Sequence, residues 1–386
     1  MRTTRSTPLI TLALLVLLAP AAGAQQPAPS PDQPQGQFGE QLEVGEVLLD
    51  VLVTDADGNA VLGLGPDDFV VEEAGQARKV TSVSYYANRL VGGALPTVAA
   101  KKASVETLPD DRYFILFFQD QRQRQFDTDV PLLRQQFNAG RFAKKWVQED
   151  LLPDDWVAVV SYDSRLRVQT DFTRDHDTIA KAIDSAIQGK SLDMDEFAQV
   201  GNSNGPSLVD DLPRGRYLRK ESRRIYGALE LVAQATGDIR ARKNLVMFGI
   251  GFGILTTSDR EDIRYYQPMM ETLNANNVAA YMVDLSPNTV EHAMSDPMNR
   301  LATETGGRYF FNFTNFQTPL SQIADENNGY YLLSYQSSHP RGETGYQKVT
   351  VKTVNPDLKV KTREGYVFGD ADQLHMDVPQ GVSAAK

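Results

Sequence analysis

Apolar and polar positions follow two different rhythms along this chain. From Leu42 to Tyr86 the period is two. EVLLDVLVTD (46–55) alternates and runs into Asp55-Ala56-Asp57-Gly58-Asn59, a turn signal, so the segment predicts strands joined by tight turns. Phe69-Val70-Val71 and Val80 to Tyr86 predict two further strands, and the stretch from Leu90 to Asp111, with Gly92-Gly93 and Pro96, reads as a linker. From Tyr113 the rhythm changes to short apolar runs alternating with helical periodicity, the signature of a largely parallel sheet covered on both faces. Strands are predicted at 113–118, 156–162, 165–170, 244–250, 278–283 and 309–313. Helices are predicted at 131–149, 175–188, 222–235, 262–276, 296–305 and 319–328. Only Asp163-Ser164 separates the second strand from the third, so one of that pair is expected to be an antiparallel edge strand. Period two returns at 330–336, 346–354 and 358–366.

The first residues predict a leader. Arg2 and Arg5 form a positive start, Leu9 to Leu18 is apolar apart from Thr11, and Ala22-Gly23-Ala24 is a small-residue cleavage site. A membrane-spanning helix needs about 20 apolar residues, roughly twice this run. The reading is an exported protein, periplasmic or secreted, cleaved after Ala24, with no transmembrane segment left. The expected organisation is a signal peptide (1–24), a Pro- and Gln-rich disordered linker (25–40), an N-terminal β segment (42–87), a linker (88–111), an α/β domain (112–329), a C-terminal β segment (330–368) and a disordered tail (369–386). Each flank offers only about three strands, few for an independent sandwich. Residues 42–87 and 330–368 are therefore expected to combine into one β-sandwich beside the α/β domain.

The chain holds no Cys, which excludes thiol chemistry and disulfides. Its formal charge is −11, and losing Arg2 and Arg5 takes it to −13. That balance argues against general nucleic-acid binding.

Several stretches carry a family resemblance. DDWVAVVSYDSRLRVQTDFTRD (154–175), RKNLVMFGIGFG (242–253), NANNVAAYMVDLSP (274–287) and LATETGGRYF (301–310) resemble a von Willebrand factor A (VWFA) domain. DVLVTDADGNAVLGLGPDDFVVEEAGQARKVTSVS (50–84), YYLLSYQSSHP (330–340) and KVTVKTVNPDLKVKTREGYV (348–367) resemble the flanks of the VWFA-related Acidobacterial domain family. The resemblance implies a doubly wound, Rossmann-like α/β fold and assigns no biochemical activity.

It also implies a metal-ion-dependent adhesion site (MIDAS), made from Asp-x-Ser-x-Ser after the first strand, a later Thr, and an Asp after the fourth strand. Here Phe118 leads into Gln119-Asp120-Gln121-Arg122-Gln123-Arg124. With Asp120 in the Asp position, the serines become Arg122 and Arg124. One residue earlier, the Asp becomes Gln119 and the serines Gln121 and Gln123. After the fourth strand, Gly249-Ile250-Gly251 stands where Thr-Asp-Gly would supply the second carboxylate. An arginine charge ~5 Å from a divalent ion costs roughly 6–7 kcal/mol at an effective dielectric near 20. The site is therefore expected to be degenerate and metal-free, with Asp120 its vestige and neither Mg2+ nor Ca2+ bound. The alternative is a divalent-cation-dependent adhesion-type receptor with an atypical metal site.

A cationic surface is expected in its place, formed by Arg122 and Arg124 with Arg214, Arg216, Arg219 and Lys220 around a helix starting near Ser222. Arginine suits capture of carboxylates or phosphates, so a protein partner with acidic groups is the reading. Cationic residues at a helix N-terminus oppose its dipole, so helix stability does not explain them. No catalytic constellation stands out. Gly249-Ile250-Gly251 lacks the third glycine of a dinucleotide loop, and His176, His292, His339 and His375 are scattered. Asp55 and Asp57 read as turn residues, and Tyr331 and Tyr335 as one buried strand face. The chain is expected to be non-enzymatic, a protein-binding or scaffolding module of the cell envelope.

Overall fold

A computed structural model of the chain describes residues 44–87, 107–109, 111–120, 129–190, 205–252, 263–286, 295–340 and 343–369. The leader, the linker to residue 43, Arg122, Arg124, His292, His375 and the tail from residue 370 lie outside them.

The chain opens with β1 (Val44–Thr54), β2 (Phe69–Glu73), β3 (Gln76–Arg78) and β4 (Val80–Ala87). Asp55 closes the turn after β1, its Oδ1 accepting from the main-chain N–H of Asp57 and of Asn59, both at 2.9 Å. The segment read as linker contains a short strand, β5 (Thr107–Pro109), which pairs in parallel with Tyr85–Ala87. Its three residues are too few to stand out by alternation.

The α/β part comprises β6 (Tyr113–Gln119), α1 (Asp129–Glu149), β7 (Trp156–Tyr162), β8 (Leu166–Thr173), α2 (His176–Gln188), α3 (Arg216–Glu221), α4 (Ile225–Gln234), β9 (Lys243–Gly249), α5 (Ile263–Ala275), β10 (Val278–Asp284), α6 (Ser295–Glu304), β11 (Arg308–Phe310) and α7 (Gln317–Glu326). The sheet order is β11-β10-β9-β6-β7-β8, all parallel except the β7–β8 hairpin. Counted within this sheet the order is 3-2-1-4-5-6, that of a doubly wound fold. Its topological switch point lies between β6 and β9. Successive residues of β6 serve opposite faces. Phe114, Leu116 and Phe118 pack with α1, α2 and α7, whereas Ile115 and Phe117 pack with α4, α5 and α6.

After α7 come β12 (Gly329–Pro340), β13 (Gly345–Thr353), β14 (Lys359–Lys361) and β15 (Gly365–Phe368). The run read as one strand at 358–366 is thus two. Strands from the two ends of the sequence pair with each other: β12 lies between β1 and β4, and β13 lies beside β2. The resulting sheets, β14-β1-β12-β4-β5 and β15-β13-β2-β3, share a core. Val47, Leu49, Val51 and Val53 of β1 enter it with Tyr331 and Tyr335, both fully buried. Asp50, on the other face of β1, is equally buried and points toward the base of the α/β layers, where it meets Arg242.

Candidate functional site

The switch point of a doubly wound sheet leaves a crevice beyond the strand C-termini, where ligands of such folds bind. Here one side chain bridges its two sides. Gln119 at the end of β6 donates from Nε2 to the Gly251 carbonyl (3.0 Å), and its Oε1 accepts from the Ile250 N–H (3.1 Å). Gly249 is required beneath it, because a Cβ there would collide with the Gln119 amide and its Cβ. Gln119 thus ties β6 to the loop after β9 with the groups that an open crevice would offer a ligand.

Asp120 is buried, its N–H donating to the Tyr162 carbonyl at 2.8 Å. Its Oδ1 accepts from Gln136 Nε2 (3.3 Å), and the same nitrogen donates to the Ile187 carbonyl at the end of α2 (2.8 Å). The Asp284 carboxylate at the end of β10 takes the Ser286 N–H and the Tyr309 hydroxyl, each at 2.7 Å. Ser222, the hydroxyl residue nearest the helix that follows the long loop, donates to the Leu218 carbonyl (2.5 Å) and accepts from the Leu166 N–H (3.2 Å). A hard divalent ion needs about six convergent oxygen donors. Among the described residues this edge offers Asp120, the Asp284 carboxylate already bonded to Ser286 and Tyr309, one amide oxygen already bonded to the main chain, and a committed hydroxyl. That donor set does not fit such an ion.

The cationic segment differs from its sequence reading in one respect. The helix expected at 222–235 is α4, and an additional short helix, α3, precedes it, the two separated where Ser222 turns its hydroxyl back to Leu218 and receives β8. Arg219 and Lys220 therefore sit in the last turn of α3, where cations favour the helix dipole, and do not lie at a helix start. Arg224 is the residue that precedes a helix N-terminus. Gly227 permits the tight break, since a Cβ there would strike the Glu221 carbonyl.

Arg214, Arg216, Arg219, Lys220, Arg223 and Arg224 are all exposed. Arg216 stacks on Tyr217, with 5.0 Å from the guanidinium carbon to the ring centre, and donates to its hydroxyl at 3.1 Å; Tyr217 itself is half exposed. Lys220 pairs with Glu221 at 3.1 Å, but both ends face water, so the pair is worth about 0–1 kcal/mol. Arg224 lies 4.4 Å over Tyr265, which stacks on Tyr226, which meets Phe252 edge-on just beyond Gly251. Tyr162 fixes the segment on the other side. Its hydroxyl donates to the Arg223 carbonyl at 3.1 Å, and burial, aided by nearby Asp163, pushes its pKa up to about 12. Tyr162 is the register partner of Gln119, so the basic segment borders the bridged crevice.

No family model matches the chain, and no curated protein matches it. Solved structures do. A von Willebrand factor type A protein from Catenulispora acidiphila aligns over 89% of this chain and 78% of its own, at 9% identity and a TM-score of 0.37. Proximal thread matrix protein 1 of the mussel byssus aligns over 56% of this chain at 14% identity and a TM-score of 0.36. This chain spans 48% of that protein's length. The conserved hypothetical protein BatB of Bacteroides thetaiotaomicron aligns over 56% of this chain and 98% of its own, at 12% identity and a TM-score of 0.34. Likenesses this slight add nothing to the strand order. Among the described residues no helix is long and apolar enough to cross a membrane.

Sequence reasoning placed Asp120 and the basic segment at this edge of the sheet but missed what Gln119 does. The signal was present, because one of the two motif registers puts Gln119 in the Asp position. Its partners in the loop after β9 lie 131 and 132 positions downstream and cannot be read locally. Tyr217, half exposed between arginines, was also passed over.

Proposed function

We propose that this chain is an exported, non-enzymatic protein-interaction module of the cell envelope. It is built on a VWFA-like domain whose metal site is degenerate, with the flanking β segments forming one sandwich beside it, as in the VWFA-related Acidobacterial domain family. It binds its partner without a divalent ion, through the basic face of Arg214, Arg216, Tyr217, Arg219 and Lys220, and the partner surface is acidic. The observation that carries this reading is the Gln119 bridge from β6 to Ile250 and Gly251, which commits the amide at the switch point to the main chain. The composition of the basic face supports it as well. Exposed Arg and Tyr side by side are what protein interfaces concentrate at their energetic centres, and four cations there stand out on a chain of net charge −11.

The test is affinity capture from a native envelope extract, with the wild-type chain and a variant carrying R214E, R216E, R219E and K220E, each with and without EDTA. A partner that persists in EDTA, weakens with added salt and is lost with the variant supports the reading. Loss in EDTA, or full retention by the variant, contradicts it.

A further inference from the structure

Among the described residues no strand pairs with the outer edge of β1 from Glu46 to Leu48, where a groove runs beside it. β1 has β12 along one side from Val44 to Val51, but on the other side β14 reaches only Leu52 to Thr54. Arg363 shows which groups face outward. Its Nη2 donates to the Leu48 carbonyl at 2.6 Å, so the main-chain groups of Leu48, and by the two-residue repeat those of Glu46, turn away from β12. The Leu48 carbonyl is held by Arg363. The Glu46 N–H, the Glu46 carbonyl and the Leu48 N–H have no partner on that side among the described residues.

Beside this edge lies a cavity of about 350 Å³ walled by β15 and the end of β12. His339 stacks flat on Phe368 to form the far wall, the rings 3.8 Å apart. Leu48 is a large apolar side chain at 49% exposure. The charges at the rim are acidic. Glu46 is exposed and among the described residues accepts only the Ser334 hydroxyl, and Glu343 faces the ring of His339 at 3.7 Å. Arg363 offsets only one of them and is held at the inner side of the groove by the Asn274 and Leu48 carbonyls and by Asp50 at 3.7 Å, which leaves the rim with one net negative charge.

We propose that the β1 edge from Glu46 to Leu48 is a docking site for an extended basic segment of another protein, which adds to the sheet as a strand. Free edge groups supply the main-chain bonds of such strand addition, and side-chain neighbours supply its selectivity. On an antiparallel added strand the residue opposite Leu48 comes two positions before the residue opposite Glu46. The fitting pattern is therefore an aliphatic residue, any residue, then Lys or Arg. A second copy of this chain supplies no basic group, because pairing edge to edge sets Glu46 opposite Leu48 and leaves the two Glu46 carboxylates diagonal on one face, a like-charge contact. This surface is independent of the basic face around α3 and takes the opposite charge.

The test uses the full chain and a labelled heptapeptide, acetyl-Thr-Thr-Val-Thr-Lys-Thr-Thr-amide, with binding followed by fluorescence anisotropy at low salt. The site predicts saturable binding that drops at least tenfold when Lys is replaced by Glu. A similar drop follows when alternate peptide nitrogens are methylated, which keeps the charge and removes the donors. Glu46→Lys, at an exposed position, should reverse the preference between the Lys and Glu peptides, and Leu48→Thr should weaken both. Urea unfolding of each variant verifies the fold. Absence of saturable binding overturns the proposal, and so does binding that ignores N-methylation, which is an ionic contact only. Concentration-dependent dimerisation abolished by Glu46→Lys assigns the edge to a second copy. Binding seen only after deletion of residues 370–386 assigns it to the chain's own tail. Either result overturns the proposal.

Discussion

Asp50 in β1 and Arg242 at the head of β9 are 192 positions apart and form a buried ion pair, with 2.5 Å between Nη1 and Oδ2. Burial would raise the Asp50 carboxyl, but Arg242 and Arg363 together hold it below the usual range. Arg242 also donates to the Gly306 carbonyl, and Asn277, turned with its nitrogen inward, donates to both Asp50 oxygens. Lys361 reaches Glu326 at 2.6 Å nearby. The flanking sheets are thus locked to the base of the α/β layers by paired charges. Removing one partner of a buried pair costs about 3–5 kcal/mol, because the other charge is stranded. Asp50→Ala should lose that much in urea unfolding, whereas Asp50→Leu with Arg242→Met should lose markedly less.

Lys243 lies beside this network and donates to the Ile239 carbonyl. Burial lowers its pKa to about 7 from an ordinary 10.5, although Asp50 pulls the other way. Between those values the unfolded chain holds the proton and the folded chain does not, so this group adds stability as pH rises from about 7 toward 10. The contribution falls away as pH drops to 7. Lys243→Met should flatten the rise between pH 7 and pH 9, where the wild type gains on the order of a few kcal/mol from it. An unchanged slope in urea melts at those two pH values would remove Lys243 as its source.

Gln119→Leu keeps the volume, strands the Ile250 N–H and removes one donor from the Gly251 carbonyl. Leaving buried main-chain groups unpaired costs about 1–3 kcal/mol, so the midpoint of urea unfolding should fall accordingly. Partner capture should persist, since the basic face does not depend on this bond. A variant as stable as the wild type would mean that the bridge does not tie the two sides of the crevice together.

How far the sequence could be read divides along physical lines. Alternation along β1 and the tyrosines of β12 marked a buried face because Val47, Leu49, Val51 and Tyr331 follow a period of two. The Asp163-Ser164 turn told of the β7–β8 hairpin because a two-residue loop leaves little choice. The break between α3 and α4 was hidden because its cause is tertiary: Ser222 answers to Leu166 in β8, 56 positions away. The bridge from Gln119 to the loop after β9 and the pair of Asp50 with Arg242 were hidden for the same reason. Such contacts depend on which strands become neighbours, and the strand order is not written in any local window.

Tyr217→Ala should separate folding from recognition. The ring is half exposed and packs with Arg216 alone among the contacts described, so stability should change by no more than about 0.5 kcal/mol. Exposed aromatic residues among arginines dominate interface energetics, so partner capture should weaken at least tenfold. Equal losses of stability and capture would show that Tyr217 serves the fold.

Recognition without a divalent ion is tested most directly by titrating Mg2+, Mn2+ and Ca2+ into the pure chain in a calorimeter, beside the Asp120→Ala variant. The crevice bridged by Gln119 predicts no saturable heat at micromolar ion for either protein. Micromolar binding by the wild type that disappears with Asp120→Ala would contradict it.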